Sequence, residues 1–298
     1  MTPDTPPVFV LLGRAGDIIQ LLPCFDAIHR RSGARPIVIV SKDYANVFDG
    51  VSYVRPHPIR EHWWQGVPVA KAVAREVYGG GQVVQSWHEP PKHDDTIGFR
   101  GTHVAVLQSH GYNHGVNMAL DPCYSLSMVR RCGFSRAEWM QLHLRFDRRN
   151  PAREGKLAEP FMRGRPLLLF HTSGVSSPFT YTPELVNLLT ARFSRYFKVV
   201  DLGRISAYRI YDLLGLMDRA SFMVLSDSAP LHLAAGTQTP YVALTVDGWT
   251  SSVPKGNVQL EIKYSQFKQR IPELVERITS SQHELHDSHT PCKSGYCE

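Results

Sequence analysis

The sequence predicts an α/β protein of two parallel-sheet domains, and three observations predict it. An apolar run at 8–12 stops at Gly13-Arg-Ala-Gly-Asp17 and is followed by Ile18, Leu21, Leu22, Phe25 and Ile28 at helical spacing, then by a second apolar run at 36–41. Strand, glycine turn, helix and strand make a βαβ unit, whose crossover requires parallel strands. The same alternation restarts at Leu167. Between the two patterns lies RRNPAREGKLAEPFMRGRP, a polar, basic, proline-containing stretch that reads as an inter-domain linker.

The first pattern continues with strand candidates at 51–54, 82–86 and 103–107 and a helix over 67–78 closed by Gly79-Gly80-Gly81. Pro23 falls early in the first helix and is expected to bend it. In the second pattern, strands are expected at 167–171, 199–202, 222–226 and 241–246. Helices are expected from Thr182-Pro183-Glu184, from Ser206 to Met217, at 230–235 closed by Gly236, and at 272–280. With 298 residues the expected organisation is a Rossmann-like domain over 1–150, a linker over 151–166, a second such domain over 167–280 and a polar tail over 281–298.

Composition narrows the class of protein. The chain is 43% hydrophobic and 20% charged, as soluble globular proteins are. It contains no run near the ~20 apolar residues that span a bilayer. MTPDTPPVFVLLG has no basic start of the kind a secretory signal carries, so a cytoplasmic location is expected. Five scattered cysteines do not make a secreted disulfide framework, and Cys292 and Cys297 sit together in the polar tail. His88, His93, His110 and His114 match no compact metal-ligand spacing, so no metal is expected. The net charge of +6 favours anionic partners.

Ligands of open parallel sheets bind at the carboxyl ends of strands. Three polar clusters occupy such ends. In LSDSAPLHLAAG, residues 225–236, Pro230 suits a helix first turn, leaving amides around Ser228, Ala229 and His232 to face an anion such as a diphosphate. Asp227 is placed either to cap that helix or to hold a ribose hydroxyl. In His171-Thr172-Ser173-Gly174-Val-Ser-Ser177, hydroxyls and backbone can wrap a phosphate without side-chain bulk. In Gly13-Arg14-Ala-Gly16-Asp17, the acid is either a favourable helix-start charge or, facing a cleft, a general base. The glycine spacing there is not that of a dinucleotide fingerprint.

GRAGDIIQLLPCFDAIHRR and YDLLGLMDRASFMVLSDSAPLHLAAGTQTPYVAL resemble the two hallmark segments of glycosyltransferase family 9, the ADP-heptose:lipopolysaccharide heptosyltransferases. The second resembles that family's Asp-Ser/Thr-Gly-x-x-His-x-Ala-Ala pattern with its Gly-x-Pro turn. The resemblance implies a GT-B fold, two Rossmann-like domains facing a cleft, and an enzyme needing no metal or other cofactor. It implies Asp17 as catalytic base, with Gly13, Arg14 and Gly16 on the acceptor side. It implies Thr172, Ser173, Gly174, Asp227, Ser228, Ala229 and His232 around a nucleotide-sugar donor, an ADP- or UDP-sugar.

This chain departs from the family in three places. Ala229 stands where the family has glycine, and no lysine follows the hydroxyl pair, leaving Arg204 or Lys255 as candidate cations. The Asp-x-Gly-Arg stretch at 201–204 lacks the family's acidic ribose position. Two anionic acceptors fit the charge: lipopolysaccharide core, or a hydroxymethylated base in DNA, for which Trp63-Trp64 and the basic N-terminal loops are candidate contacts. A non-catalytic nucleotide-sugar-binding protein is the alternative.

Overall fold

A computed structural model describes residues 6–61, 66–79, 83–84, 104–106, 124–175, 177–248 and 252–288. The first half carries β1 (Val8–Leu11), α1 (Ala15–Ser32), β2 (Ile37–Ser41), β3 (Arg55–Ile59), α2 (Val67–Tyr78), β4 (Val83–Val84) and β5 (Val104–Val106). These strands form a parallel sheet in the order β3-β2-β1-β5-β4. Three helices follow: α3 (Tyr124–Arg131), α4 (Arg136–Gln141) and α5 (Pro151–Ala158). The second half carries β6 (Leu167–His171), α6 (Thr182–Phe193), β7 (Lys198–Asp201), α7 (Leu214–Met217), β8 (Phe222–Ser226), α8 (Ala229–Leu233), β9 (Tyr241–Thr245), β10 (Val258–Lys263) and α9 (Ile271–Ser288). Its parallel sheet runs β10-β9-β8-β6-β7.

The expected βαβ unit forms as the sequence indicates. β1 and β2 are buried throughout, as strands covered on both faces must be. Gly33 ends α1 in the left-handed region at φ 73°, where a glycine carries no side-chain penalty, and its N–H reaches the carbonyl of His29. Strand 51–54 does not form. Val51, Tyr53 and Val54 turn into the core instead, and the edge strand is β3, whose sequence Arg-Pro-His-Pro-Ile hides it from a propensity reading. Prolines are tolerated there because an edge strand has one unpaired side.

Residues 151–166, expected as a linker, open with α5. Asn150 caps it by accepting the Arg153 N–H, and Pro151 occupies its first turn. Glu154 of α5 is buried against Gly215 of α7, where a Cβ would have no room. α4 was not expected, although its Ser135-x-x-Glu138 capping box was visible in the sequence. α9 runs to Ser288, eight residues past its expected end. β10 was also missed. No described helix is long and apolar enough to cross a membrane.

One hydrophobic cluster runs through both halves, from Phe9 and Phe25 through Trp139, Leu144 and Phe146 to Tyr211, Leu231 and Tyr241. Phe146 stacks on Tyr211 at 5.1 Å between ring centres, and both rings pack over Gly50. Trp139, fully buried in α4, is the polar staple of this seam. Its indole N–H donates to the Gln20 carbonyl of α1 at 3.1 Å. Its own carbonyl and that of Leu142 each accept from the Lys255 ammonium at 2.6 Å, and that ammonium lies 4.6 Å from the centre of the indole ring.

Trp139→Phe removes the indole donor and one ring of a buried side chain, so it is expected to cost about 1–3 kcal/mol. Trp139→Ala also opens a cavity and is expected to cost about 3–5 kcal/mol. Urea denaturation of the two variants measures the difference.

Candidate functional site

In chain order the second sheet reads 2-1-3-4-5, and its order reverses between β6 and β8. The crevice above that reversal is where such sheets bind ligands. β6 and β8 lie side by side there, with His171 opposite Leu225. Beyond them are the two loops that the sequence singled out, 172–177 and 227–228. Their close approach depends on Gly174: a Cβ there would lie 2.8 Å from the Ser177 carbonyl oxygen and 2.9 Å from that of Asp227. Gly203, after β7, abuts Ser173 in the same way, and Asp201 caps it at 2.9 Å.

Hydrogen bonds tie these loops together. The Ser228 hydroxyl donates to the Ser226 carbonyl at 2.8 Å and lies 2.9 Å from His171 Nδ1. His171 Nε2 lies 3.2 Å from the Ser173 hydroxyl. The backbone N–H of Asp227 donates to the Tyr264 hydroxyl at 3.2 Å, which in turn donates to the Ser177 carbonyl at 3.1 Å. Asp227 is buried, and its carboxylate accepts both the N–H of Ser252, at 3.1 Å, and its hydroxyl. His232 Nε2 is 3.4 Å from that hydroxyl. The single Ser252 proton goes to Asp227, so the tautomer with hydrogen on Nε2 is the one that suits this contact. Burial holds the His232 pKa below the ordinary imidazole range against the pull of Asp227, so the ring is neutral at pH 7.

The third cluster arrives from the other half. Arg14 sits in extended conformation at the start of α1, and its N–H donates to Asp17 Oδ2 at 2.9 Å. Burial pushes the Asp17 pKa up to about 6. The Arg14 amide and guanidinium oppose the rise, and the negative charge of Asp227 adds to it. Gly16 makes the meeting possible: a Cβ there would come within 3.1 Å of His232 Cδ2 and 3.7 Å of the Ala229 backbone. Asp17, Gly16, Asp227, Ala229 and His232 thus share one seam, with Ser228 at its edge and Gly13 at the end of β1.

Neither candidate cation reaches this seam as a free charge. Arg204 is 88% exposed and lies 3.6 Å from Asp201. Lys255 lines a cavity of about 10 Å³ with His232, Gln20 and Trp139, room for about one water. Its ammonium is held on the α4 carbonyls, and burial lowers its pKa to about 8. Sequence reasoning missed Ser252, Tyr264 and the bridging role of His171. Ser252 and Tyr264 follow β9 and β10 with no motif around them, so nothing local marks them. His171 was visible as the first residue of its cluster. Trp63, Trp64, the four loop histidines and the tail cysteines lie outside the described residues. Among those described, no group of metal-ligating side chains occurs.

Asp17 has a folded pKa above its unfolded value of 3.8. Its contribution to stability is therefore full below pH 3.8 and lost as pH rises through about 6, so at pH 7 the ionised carboxylate destabilises the fold. Asp17→Asn keeps an oxygen for the Arg14 N–H and removes the charge. The variant is expected to be more stable at pH 7 by about 1–2 kcal/mol, allowing for the water that still reaches the group. Thermal unfolding at pH 7 and pH 4 checks this: the gain should shrink at the lower pH.

No family model and no curated protein matches the sequence. Among solved structures, the chain is similar to the ADP-heptose lps heptosyltransferase II of E. coli, at 12% identity and TM-score 0.62 over 95% of this chain and 100% of that one. It is also similar to a glycosyl transferase family 9 structure from Veillonella parvula DSM 2008, at 11% identity and TM-score 0.55 over 90% and 88%. The two-sheet architecture of the chain is the GT-B fold of these glycosyltransferase structures.

Proposed function

We propose that the chain is a glycosyltransferase that moves a sugar from a nucleotide sugar, an ADP- or UDP-sugar, to the hydroxyl of an anionic acceptor, with inversion and without a metal. The observation that carries this reading is the meeting of Asp17 with the Asp227–His232 turn. Two segments more than 200 residues apart in sequence, each a plausible half-site alone, face each other across one seam.

The chemistry follows from what each side can do. A carboxylate with a pKa near 6 is ionised at pH 7 yet basic enough to take a proton from an attacking hydroxyl. Thr172, Ser173, Ser228 and Ala229 lie on the opposing loops, closed up by Gly174, and would surround a departing diphosphate. α8 spans only Ala229–Leu233, so local backbone N–H donors of the loops rather than a long helix dipole would meet that charge. Neutral His232, with hydrogen on Nε2, can donate to a phosphate oxygen. The acceptor hydroxyl would attack the anomeric carbon as Asp17 removes its proton, and the nucleoside diphosphate would leave toward β6 and β8. Gly16 packs directly on α8, so donor entry requires the two halves to part.

The net charge of +6 supports a phosphate-bearing acceptor. Lipopolysaccharide core and a hydroxymethylated base in DNA both qualify, and salt-sensitive retention on DNA separates them: the second predicts firm retention, the first only weak, nonspecific retention. One observation favours a non-catalytic nucleotide-sugar-binding protein instead, namely that Lys255 is committed to α4. That reading predicts donor binding without turnover or hydrolysis.

The deciding test is a thermal-shift panel of ADP-, UDP-, GDP- and CMP-sugars on wild type and His232→Ala. A shift for one nucleotide that fades in the variant is expected. No shift with any of them removes the donor site. Asp17→Ala is expected to abolish turnover while preserving that shift, and wild-type kcat/KM is expected to fall as pH drops through about 6.

A further inference from the structure

We propose that His171 is a positioning residue for the donor diphosphate, holding the β6 and β8 loops at the spacing that one anion requires. This inference rests on the donor reading above. His171 is the last residue of β6, buried at the point where the strand order reverses. Its two ring nitrogens reach one serine in each loop, Ser228 at 2.9 Å and Ser173 at 3.2 Å.

Proton bookkeeping allows one arrangement for the neutral ring. The Ser228 hydroxyl spends its proton on the Ser226 carbonyl, so it accepts from His171 Nδ1–H. Nε2 is then an acceptor, and Ser173 donates to it. Burial holds the His171 pKa below the ordinary imidazole range, with Asp201 as the opposing charge, which keeps the ring in this neutral form. A single planar group thus fixes both hydroxyls at once. Ser173 is otherwise exposed, and its loop turns at Gly174. The backbone closeness at Gly174 sets how near the loops can come, and the ring sets their lateral register.

Substitutions separate the two bonds. The side-chain amide of His171→Asn can stand in for Nδ1 and keep the Ser228 bond. That of His171→Gln reaches the Nε2 position and keeps the Ser173 bond. His171→Leu keeps neither. ADP and UDP binding is measured by calorimetry, with thermal unfolding to confirm that each variant is folded. Donor KM and kcat are measured alongside. His171→Leu is expected to raise the dissociation constant and the donor KM about tenfold and to lower kcat at saturating donor as well, because the loops it positions also meet the charge on the departing diphosphate. The Asn and Gln variants should each recover part of the loss. A Ser173→Ala/Ser228→Ala double variant should bind as weakly as His171→Leu, and combining all three should cost nothing more.

Folded His171 variants that bind ADP and UDP as wild type does overturn the proposal, as does a full additive loss in the combined variant. If wild type itself binds neither ADP nor UDP, the donor reading falls and this inference falls with it.

Discussion

The contact of α1 with α8 is the constraint on which the site depends. Two doubly wound sheets could pack in many orientations, but only a narrow set brings the end of β1 over the end of β8. A glycine at position 16 lets the α1 backbone settle against His232 and Ala229. The shared core through Trp139, Phe146 and Tyr211 keeps it there. Asp17 then lies close enough to feel the charge of Asp227, and part of its raised pKa comes from a residue in the other half. The acid's basicity is thus a product of tertiary packing rather than of its own loop.

Burial and hydrogen bonding divide the electrostatic work at the seam. Asp227 is buried but accepts two bonds from Ser252, which supports its charge. Asp17 is desolvated by burial, has only the Arg14 amide and charge to oppose that, and feels the charge of Asp227, so its pKa rises to about 6. Two aspartates in one small space therefore differ in their surroundings, one tied down by Ser252, the other poised near neutrality. A carboxyl perturbed by burial and a named charge is common at functional sites. His171 and His232 are both kept neutral by burial, so each imidazole has one donor and one acceptor face rather than a charge.

Much of this was legible in the sequence because it is local. Apolar runs that end in glycine and an acid or hydroxyl announce the ends of β1, β6 and β8, and all three form where expected. What escaped has physical reasons. β3 is an edge strand with two prolines, so it lacks the apolar run that marks a central strand. β10, by contrast, alternates apolar and polar residues, Val-Gln-Leu-Glu-Ile-Lys, as a half-buried strand does, and was legible as one. Residues 151–158 are polar enough to read as a linker because α5 is short and shows much of its surface, yet Glu154 turns inward to Arg149. The partnership of Ser252 with Asp227 crosses 25 residues and two elements, α8 and β9, and no local sequence pattern marks it.

Sharing a site between two halves changes which residues matter to it. Asp17 is fixed at the start of α1 and Asp227 just after β8, so their separation is governed by the angle at which the two halves pack. That angle is set by residues that touch neither acid: Gly50 beneath the Phe146–Tyr211 stack, and Trp139 between Gln20 and Lys255. A methyl group added at Gly50 would collide with both rings, and any tilt of one half on the other that relieved the clash would shift Asp17 against Asp227 like a lever whose fulcrum is remote from its tip. Tolerance to substitution should therefore be lowest along the seam and not only around the acids, while the outer edges at β3 and β10 can drift without moving either.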